Sequence, residues 1–345
     1  VLLDRSGLGT AVCEELGRLA WPFVRVEAGP DFRRVGPDHY HINPRAPEQY
    51  VRLLEDLVTT GTRVGIVLHL WTCGASPDRV RTIEDLVRAQ DHGVYSLLFL
   101  VQALAGRKDE LQPVDLRVIS TCSQRVLPDD DPACEHGTLF GFIKSVPQEI
   151  PRLSCGHLDL QLDDARTNAG HVLHELRSGS RDGEVAYRHG ERWVPRLRRE
   201  AFRRPQTGDS PFRRGGMYLL SGGLGGIGVE IARHLLQQHE ARLLLIGRTP
   251  LAAGSRSGSS EETGERLARS RVYHDLEQLP GSVCYEAVDV CDLEGVRRVV
   301  AQARERWQCD LDGVIHLAGT YQETLILDET RESLAAVLRP KVLGA

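Results

Sequence analysis

Residues 217–228, Met-Tyr-Leu-Leu-Ser-Gly-Gly-Leu-Gly-Gly-Ile-Gly, constrain the fold of this 345-residue chain more than any other stretch. A short apolar run breaks into closely spaced glycines, and the spacing of Ile231, Leu235 and Leu236 takes over at once. A buried strand, a turn needing backbone freedom and an amphipathic helix account for all three features.

The same alternation continues. Apolar, β-branched runs at 241–248, 283–290 and 311–319 predict three further strands, and 292–307 predicts a helix between the last two. Such runs belong to strands buried on both faces of a parallel sheet. The first half echoes the second. Residues 1–19 run from a strand through Ser-Gly-Leu-Gly into a helix, and 63–74 share with 311–322 an apolar run ending in His-Leu. Residues 114–123 predict another strand, and 136–146 a glycine-punctuated helix.

The expected fold is α/β: two tandem Rossmann-like subdomains with parallel doubly wound sheets, the second incomplete. The polar, Pro/Gly-bearing stretch 196–216 marks the seam. The expected division is 1–200 for the first subdomain, 201–215 for the linker and 216–345 for the second. Residues 250–270 begin as a Gly/Ser-rich insertion and then recover helical character.

Composition narrows the function classes. A net charge of −5 offers no electrostatic case for nucleic acid or an acidic membrane face. No apolar run approaches the ~20 residues that span a bilayer, and there is no signal-peptide pattern. Eight cysteines stand singly, with no Cys-x-x-Cys pair and no His at ligand spacing from them. Structural thiols in the cytoplasm, and no metal site, are the expectation. Lys108, Lys144 and Lys341 are the only lysines, so a lysine at a motif position stands out.

Gly223, Gly225 and Gly228 fit Gly-x-Gly-x-x-Gly in its required context, strand before and helix after. Gly223 and Gly225 would allow the tight turn and close approach to a pyrophosphate. Gly228 would let the helix pack on the strand, with its N-terminus facing the phosphate charge. Where an acidic residue would select NAD, the second strand ends in Gly247-Arg248-Thr249. A guanidinium suits a 2′-phosphate, which points to NADPH, unless Arg248 merely caps a strand. Asp289-Val290 ends the third strand, where a carboxylate can hold an adenine amino group or equally make a turn before Asp292. At the fourth, Leu317-Ala318-Gly319 offers small residues beside the cofactor ribose, and His316 is a core histidine rather than a proton donor.

Together these residues resemble the short-chain dehydrogenase/reductase superfamily, and more closely the ketoreductase domains of modular polyketide synthases. Ser221, Gly222, Gly223, Leu224, Gly225, Gly226, Ile227 and Gly228 are similar to the family's Thr-Gly-Gly-x-Gly-Gly-x-Gly loop, with Ser221 in place of Thr. Ile-Gly-Arg (246–248), Val-Asp-Val (288–290) and Ile-His-Leu-Ala-Gly (315–319) resemble its successive cofactor contacts. Residues 334–345 resemble the helix carrying its catalytic lysine, here Lys341, and 184–197 the crossing from its structural subdomain. The resemblance implies NADPH-dependent reduction of a β-ketoacyl thioester on an acyl carrier protein. It also implies neighbouring synthase domains in the same polypeptide and a first half that binds no cofactor.

It further implies a tyrosine general acid and a serine that holds the carbonyl oxygen. The sequence contains no Tyr-x-x-x-Lys, and only Tyr273, Tyr285 and Tyr321 follow the glycine loop. The first two are expected around or on the third strand, the last just past the fourth. Transferring the strand offset of the first half places the serine-bearing strand beyond Ala345. The expectation is a fragment that stops before its serine and tyrosine. The alternatives are a non-catalytic scaffold within a megasynthase, a free-standing NADP-dependent dehydrogenase, and a nucleotide-binding sensor. Where family members giving one alcohol configuration carry Leu-Asp-Asp, this chain has Tyr321-Gln322-Glu323, which favours the other configuration.

Overall fold

The computed structural model describes every residue except 75–79, 107–112, 181, 202–209 and 253–259. Parts of the expected linker and of the Gly/Ser-rich insertion thus lie outside the described residues. The chain divides into two compact units, Val1–Arg199 with Thr324–Glu329, and Glu200–Glu323 with Thr330–Ala345.

In the first unit the elements are β1 (Leu2–Leu3), α1 (Leu8–Arg18), β2 (Arg25–Ala28), β3 (Arg33–Gly36), β4 (His39–Ile42), α2 (Pro47–Thr59), β5 (Ile66–Thr72), α3 (Ile83–His92) and α4 (Val94–Gly106). They continue with β6 (Val114–Thr121), α5 (Gly137–Glu149), β7 (Leu153–Leu160), α6 (Ala165–Ser178), β8 (Glu184–Arg188) and β9 (Glu191–Trp193). The strands form one sheet in the order β3-β4-β2-β1-β5-β6-β7-β8-β9. It is parallel except at its edges, where β3 runs antiparallel to β4 and β9 to β8. The expectation of parallel sheets therefore gains two antiparallel edge strands. The β8–β9 reversal follows from its turn: His189 and Gly190 both take positive φ, as a tight hairpin requires.

Buried charge organises one end of this sheet. The Arg188 side chain is 2% exposed, and it donates to Asp159 Oδ2 (2.6 Å) and Asp130 Oδ2 (2.8 Å). Asp159 also accepts from the Ser123 and Gln124 amides. Beside it, the buried His157 places Nε2 2.7 Å from Ser120 Oγ, while Gln124 Nε2 lies 3.3 Å from Nδ1. A neutral imidazole with its proton on Nε2 satisfies both contacts. Six residues remote in sequence complete this unit. Gln102 donates to the carbonyls of Ile326 and Glu329 (2.8 Å each), and Ile326 N donates to Glu149 Oε2 (2.7 Å).

The second unit contains β10 (Met217–Ser221), α7 (Gly226–His239), β11 (Arg242–Gly247), α8 (Ser260–Glu277), β12 (Ser282–Ala287), α9 (Leu293–Trp307), β13 (Leu311–His316) and α10 (Arg331–Val342). Its parallel sheet has the order β12-β11-β10-β13. Alternation along β10 feeds two cores. Tyr218 and Leu220 pack with Ala232, Leu235 and Leu236 of α7, while Met217 and Leu219 pack with Val299 and Ala303 of α9. After β12 the chain returns to pair β13 with the other side of β10. That reversal of strand order opens a crevice at the carboxyl ends of the strands. Among the described residues, no helix is long and apolar enough to cross a membrane.

Burial sets a pH dependence for the first unit. It lowers the His157 imidazole from 6.5 to about 4, and that of His69 to about 3. With the folded values depressed, the unfolded chain takes up protons first, so stability rises with pH across this window. The contribution is complete above 6.5 and is lost as pH falls through the folded values. We expect denaturation midpoints of the first unit to drop over this range, and His157→Gln to flatten the slope. Equal slopes for the two proteins would show that His157 does not drive it.

Candidate functional site

The glycine loop closes through contacts that side chains would block. Gly222 has φ +70°, and a Cβ there would lie 2.9 Å from Ala318 N. A Cβ on Gly223 would meet Leu245 at 2.7 Å, and one on Gly228 would meet the Gly222 carbonyl oxygen at 2.6 Å. The turn thus depends on Gly222, which takes the positive φ, as well as on the close approach at Gly223. Gly228 packs against Gly222 and Gly223, where the chain leaves β10. Gly225 is the N-cap of α7, and Gly226 and Ile227 are exposed on its first turn. By helix geometry their amides have no intrahelical acceptor.

Ser221 fixes the loop to the end of β13. Its Oγ accepts from the amides of Leu317 (3.1 Å) and Ala318 (3.2 Å) and lies 2.7 Å from His316 Nδ1. His316 Nε2 lies 3.0 Å from the Pro340 carbonyl on α10. With the Ser221 hydroxyl donating to Nδ1 and Nε2–H donating to Pro340, every group is satisfied. His316 is a bridge from the loop to the turn that carries Lys341. Sequence reasoning recognised a satisfied histidine but not its partners, which lie 95 and 24 residues away.

These elements surround a cleft of about 310 Å³. Ser221, Gly222, Leu224, Gly225, Gly247, Arg248, Thr249, Asp289, Val290, Leu317, Ala318 and Gly319 line it; Gly223, Gly226, Ile227 and Gly228 do not. The buried Gly223 and Gly228 serve the turn, whereas the exposed Gly226 and Ile227 lie on the helix. Sequence reasoning missed Arg269, Tyr285, Thr320 and Arg339, which also line the cleft.

Lys341 comes to the same place. A Cβ on Gly319 would lie 3.2 Å from its Cε and 3.8 Å from its Nζ. The lysine is exposed, and no hydrogen bond or ion pair among the described residues engages its ammonium. Arg248 is likewise exposed without such a partner, so it does not cap β11 through a side-chain hydrogen bond. Asp289 lies just past β12 and is already engaged, accepting from Cys291 N (2.9 Å) and Arg339 Nη1 (2.7 Å). Burial opposes its ionisation, but these bonds outweigh burial and hold the carboxyl below the ordinary range. The turn considered from sequence is present, together with an ion pair to α10.

Of the three tyrosines after the loop, Tyr285 lines the cleft and Tyr273 and Tyr321 do not. Tyr273, on helix α8, stands against the third strand as expected, with its hydroxyl 3.5 Å from the Val283 carbonyl of β12. Tyr285, on β12, donates its hydroxyl to the Thr249 carbonyl at 2.6 Å, and Tyr321 is 85% exposed. The equivalent turn of the first unit holds a charge of its own. Asp4 Oδ1 accepts from Gly9 N (2.6 Å), and Oδ2 accepts from Ser6 N (2.8 Å) and Leu8 N (3.3 Å).

Residues 216–345 match a family model described as KR domain, and residues 8–176 one described as beta-ketoacyl synthase-like, N-terminal. The chain is 28% identical over 341 residues to polyketide synthase ThaG of Burkholderia thailandensis, covering 93% of this chain and 6% of that protein. It is 27% identical over 216 residues to polyketide synthase PksL of Bacillus subtilis, covering 62% of this chain and 4% of that protein. The chain therefore spans a small part of these relatives. A solved multidomain structure of a keto acid-selecting NRPS module, with adenylation, ketoreductase and pseudo-Asub domains, superposes with TM-score 0.85 at 28% identity, covering 99% of this chain and 28% of that one. An N-terminal ketoreductase from the macrolactin assembly line shares the fold, with TM-score 0.76 at 21% identity, covering 99% and 65%.

The loop contacts separate two neighbouring glycines. Gly228→Ala should destabilise the second unit by about 1–3 kcal/mol, because the methyl meets backbone. Gly226→Ala, with nothing within 4 Å of the added carbon, should be neutral or stabilise by up to ~1 kcal/mol. Denaturant titration of both variants checks this; equal effects would contradict the close packing at Gly228.

Proposed function

The chain belongs with the ketoreductase (KR) domains of polyketide synthases, and from that premise we propose that its second unit binds NADPH. It does so for reduction of a β-ketoacyl thioester carried by an acyl carrier protein. The observation that carries this reading is the convergence of the glycine turn, an Arg248 that pairs with none of the described residues and the Lys341 ammonium at one switch-point crevice. The residues fit the cofactor. Gly222 and Gly228 leave a turn no side chain could enter, and the first amides of α7 remain free for an anion.

When bound, NADPH supplies the hydride. The α7 amides and Ser221–Gly225 hold the pyrophosphate, and Arg248 pairs with the 2′-phosphate. Gly247, Thr249, Asp289 and Val290 border the adenosine end, with the Asp289–Arg339 pair fixing that wall. Leu317, Ala318 and Gly319 leave room for the ribose nearest the reacting carbon. Lys341 stands there to bind its hydroxyls and to lower the pKa of an adjacent acid. An alkoxide forming at the substrate needs a proton donor and oxyanion contacts, but Tyr273 and Tyr321 do not line the cleft and Tyr285 gives its proton to the Thr249 carbonyl. Their positions also favour a second reading, a non-catalytic scaffold that retains its cofactor cleft. The first unit binds no cofactor, because Asp4 fills the anion position with a carboxylate.

Titration with NADPH and NADH, followed by cofactor fluorescence, tests the cleft. Arg248→Ala should weaken NADPH about tenfold to a hundredfold, the scale of charge-assisted hydrogen bonds, and leave NADH unchanged. Equal losses for both would remove the 2′-phosphate assignment. The 345-residue chain should bind NADPH yet consume none when given a β-ketoacyl thioester. Turnover above background would show that a proton donor is present and would end the scaffold reading.

A further inference from the structure

We propose that Glu27, His39 and His41, in the first unit, form a binding site for a divalent transition cation of the zinc type. His39 and His41 are two apart on β4 and so share one face of the sheet, while Tyr40 and Ile42 between and after them are wholly buried. Glu27 stands on the neighbouring parallel strand β2, in register with His41. Both imidazoles aim Nε2 at its carboxylate: His39 lies 2.8 Å from Oε1 and His41 3.6 Å from Oε2. The ligand atoms of all three lie within 4.8 Å of one another. Bonds of about 2.1 Å to each are within reach of small rotamer changes.

The donor set chooses the ion. Two imidazoles and one carboxylate suit zinc, cobalt or nickel, whereas magnesium and calcium favour oxygen ligands throughout. The strand backbone is locked by Tyr40 and Ile42 beneath, so the site is organised before any ion arrives. The His39, His41 and Glu27 side chains are 19%, 22% and 44% exposed, which leaves a path for entry and a position for water. Sequence reasoning looked for metal ligands around cysteines and missed this set, whose members meet through strand pairing.

One neighbour opposes the ion. Arg33 of β3 holds Nη2 3.4 Å from His41 Nδ1. Its N–H favours the imidazole tautomer with a proton on Nε2, the atom that must bind the metal. Arg33 must therefore swing into solvent on binding, and removing it should strengthen the site.

Titration of the chelator-treated 345-residue chain with Co²⁺, followed by visible absorption and Zn²⁺ competition, tests the proposal. One equivalent should bind with the ligand-field bands of a nitrogen/oxygen site and no thiolate-to-cobalt charge transfer. His41→Ala and Glu27→Gln should each weaken binding at least about tenfold, the lower bound for losing even an outer partner of a metal site. Arg33→Ala should bind as tightly as the parent or tighter. Circular dichroism separates loss of a ligand from loss of fold, and Zn²⁺ should raise the melting temperature of the parent but not of a folded His41→Ala. No saturable binding, a thiolate band, or affinity unchanged in folded His41→Ala and Glu27→Gln would overturn it.

Discussion

The cleft of the second unit depends on one close approach, Gly228 at the start of α7 against the carbonyl of Gly222. If that contact opened by the width of a methyl group, the helix would move away from the strand. Its free amides would then no longer face the crevice beside β13. Ser221 and His316 extend the same constraint. Because the Ser221 hydroxyl and the His316 ring bridge to Pro340, the glycine turn and the helix carrying Lys341 are positioned by one continuous set of bonds. The pyrophosphate end and the reactive end of the cleft are parts of one mechanical unit.

The two units apply one topology to opposite electrostatic ends. Each has a strand order that reverses at its first strand, with a glycine-bearing turn and a helix at the switch point. In the second unit the helix amides remain open, and Arg248 and Lys341 add positive charge. In the first, Asp4 supplies the negative charge that the helix N-terminus favours, and Ser6 and Gly9 close around it. An anionic ligand there would have to displace a covalently tethered carboxylate that is already well bonded.

What could be read from the sequence is what repeats locally. The strands of the second unit, the glycine turn and helices α7 and α9 follow from apolar period and turn chemistry, whereas α10 came from the resemblance. The resemblance added Lys341, and the structure brings it beside Gly319. Pairings between distant residues were not legible. The Arg188–Asp159 pair, the Asp289–Arg339 bridge and the partners of His316 are made by strands and helices that meet only in the folded chain. The part played by Gly222 was not legible for a related reason. A sequence pattern counts glycines, but it does not say which one takes positive φ.

The segment Thr324–Glu329 carries a consequence for any attempt to divide the protein. It follows β13 in the chain yet belongs to the first unit, where Ile326 is 6% exposed and Gln102 and Glu149 grip its backbone. A gene cut near residue 200 would separate these partners. It would expose the bed of Ile326 and strip Gln102 of two acceptors and Glu149 of its amide donor. The boundary between the units is therefore not a point on the gene, and the smallest faithful module is the interleaved pair.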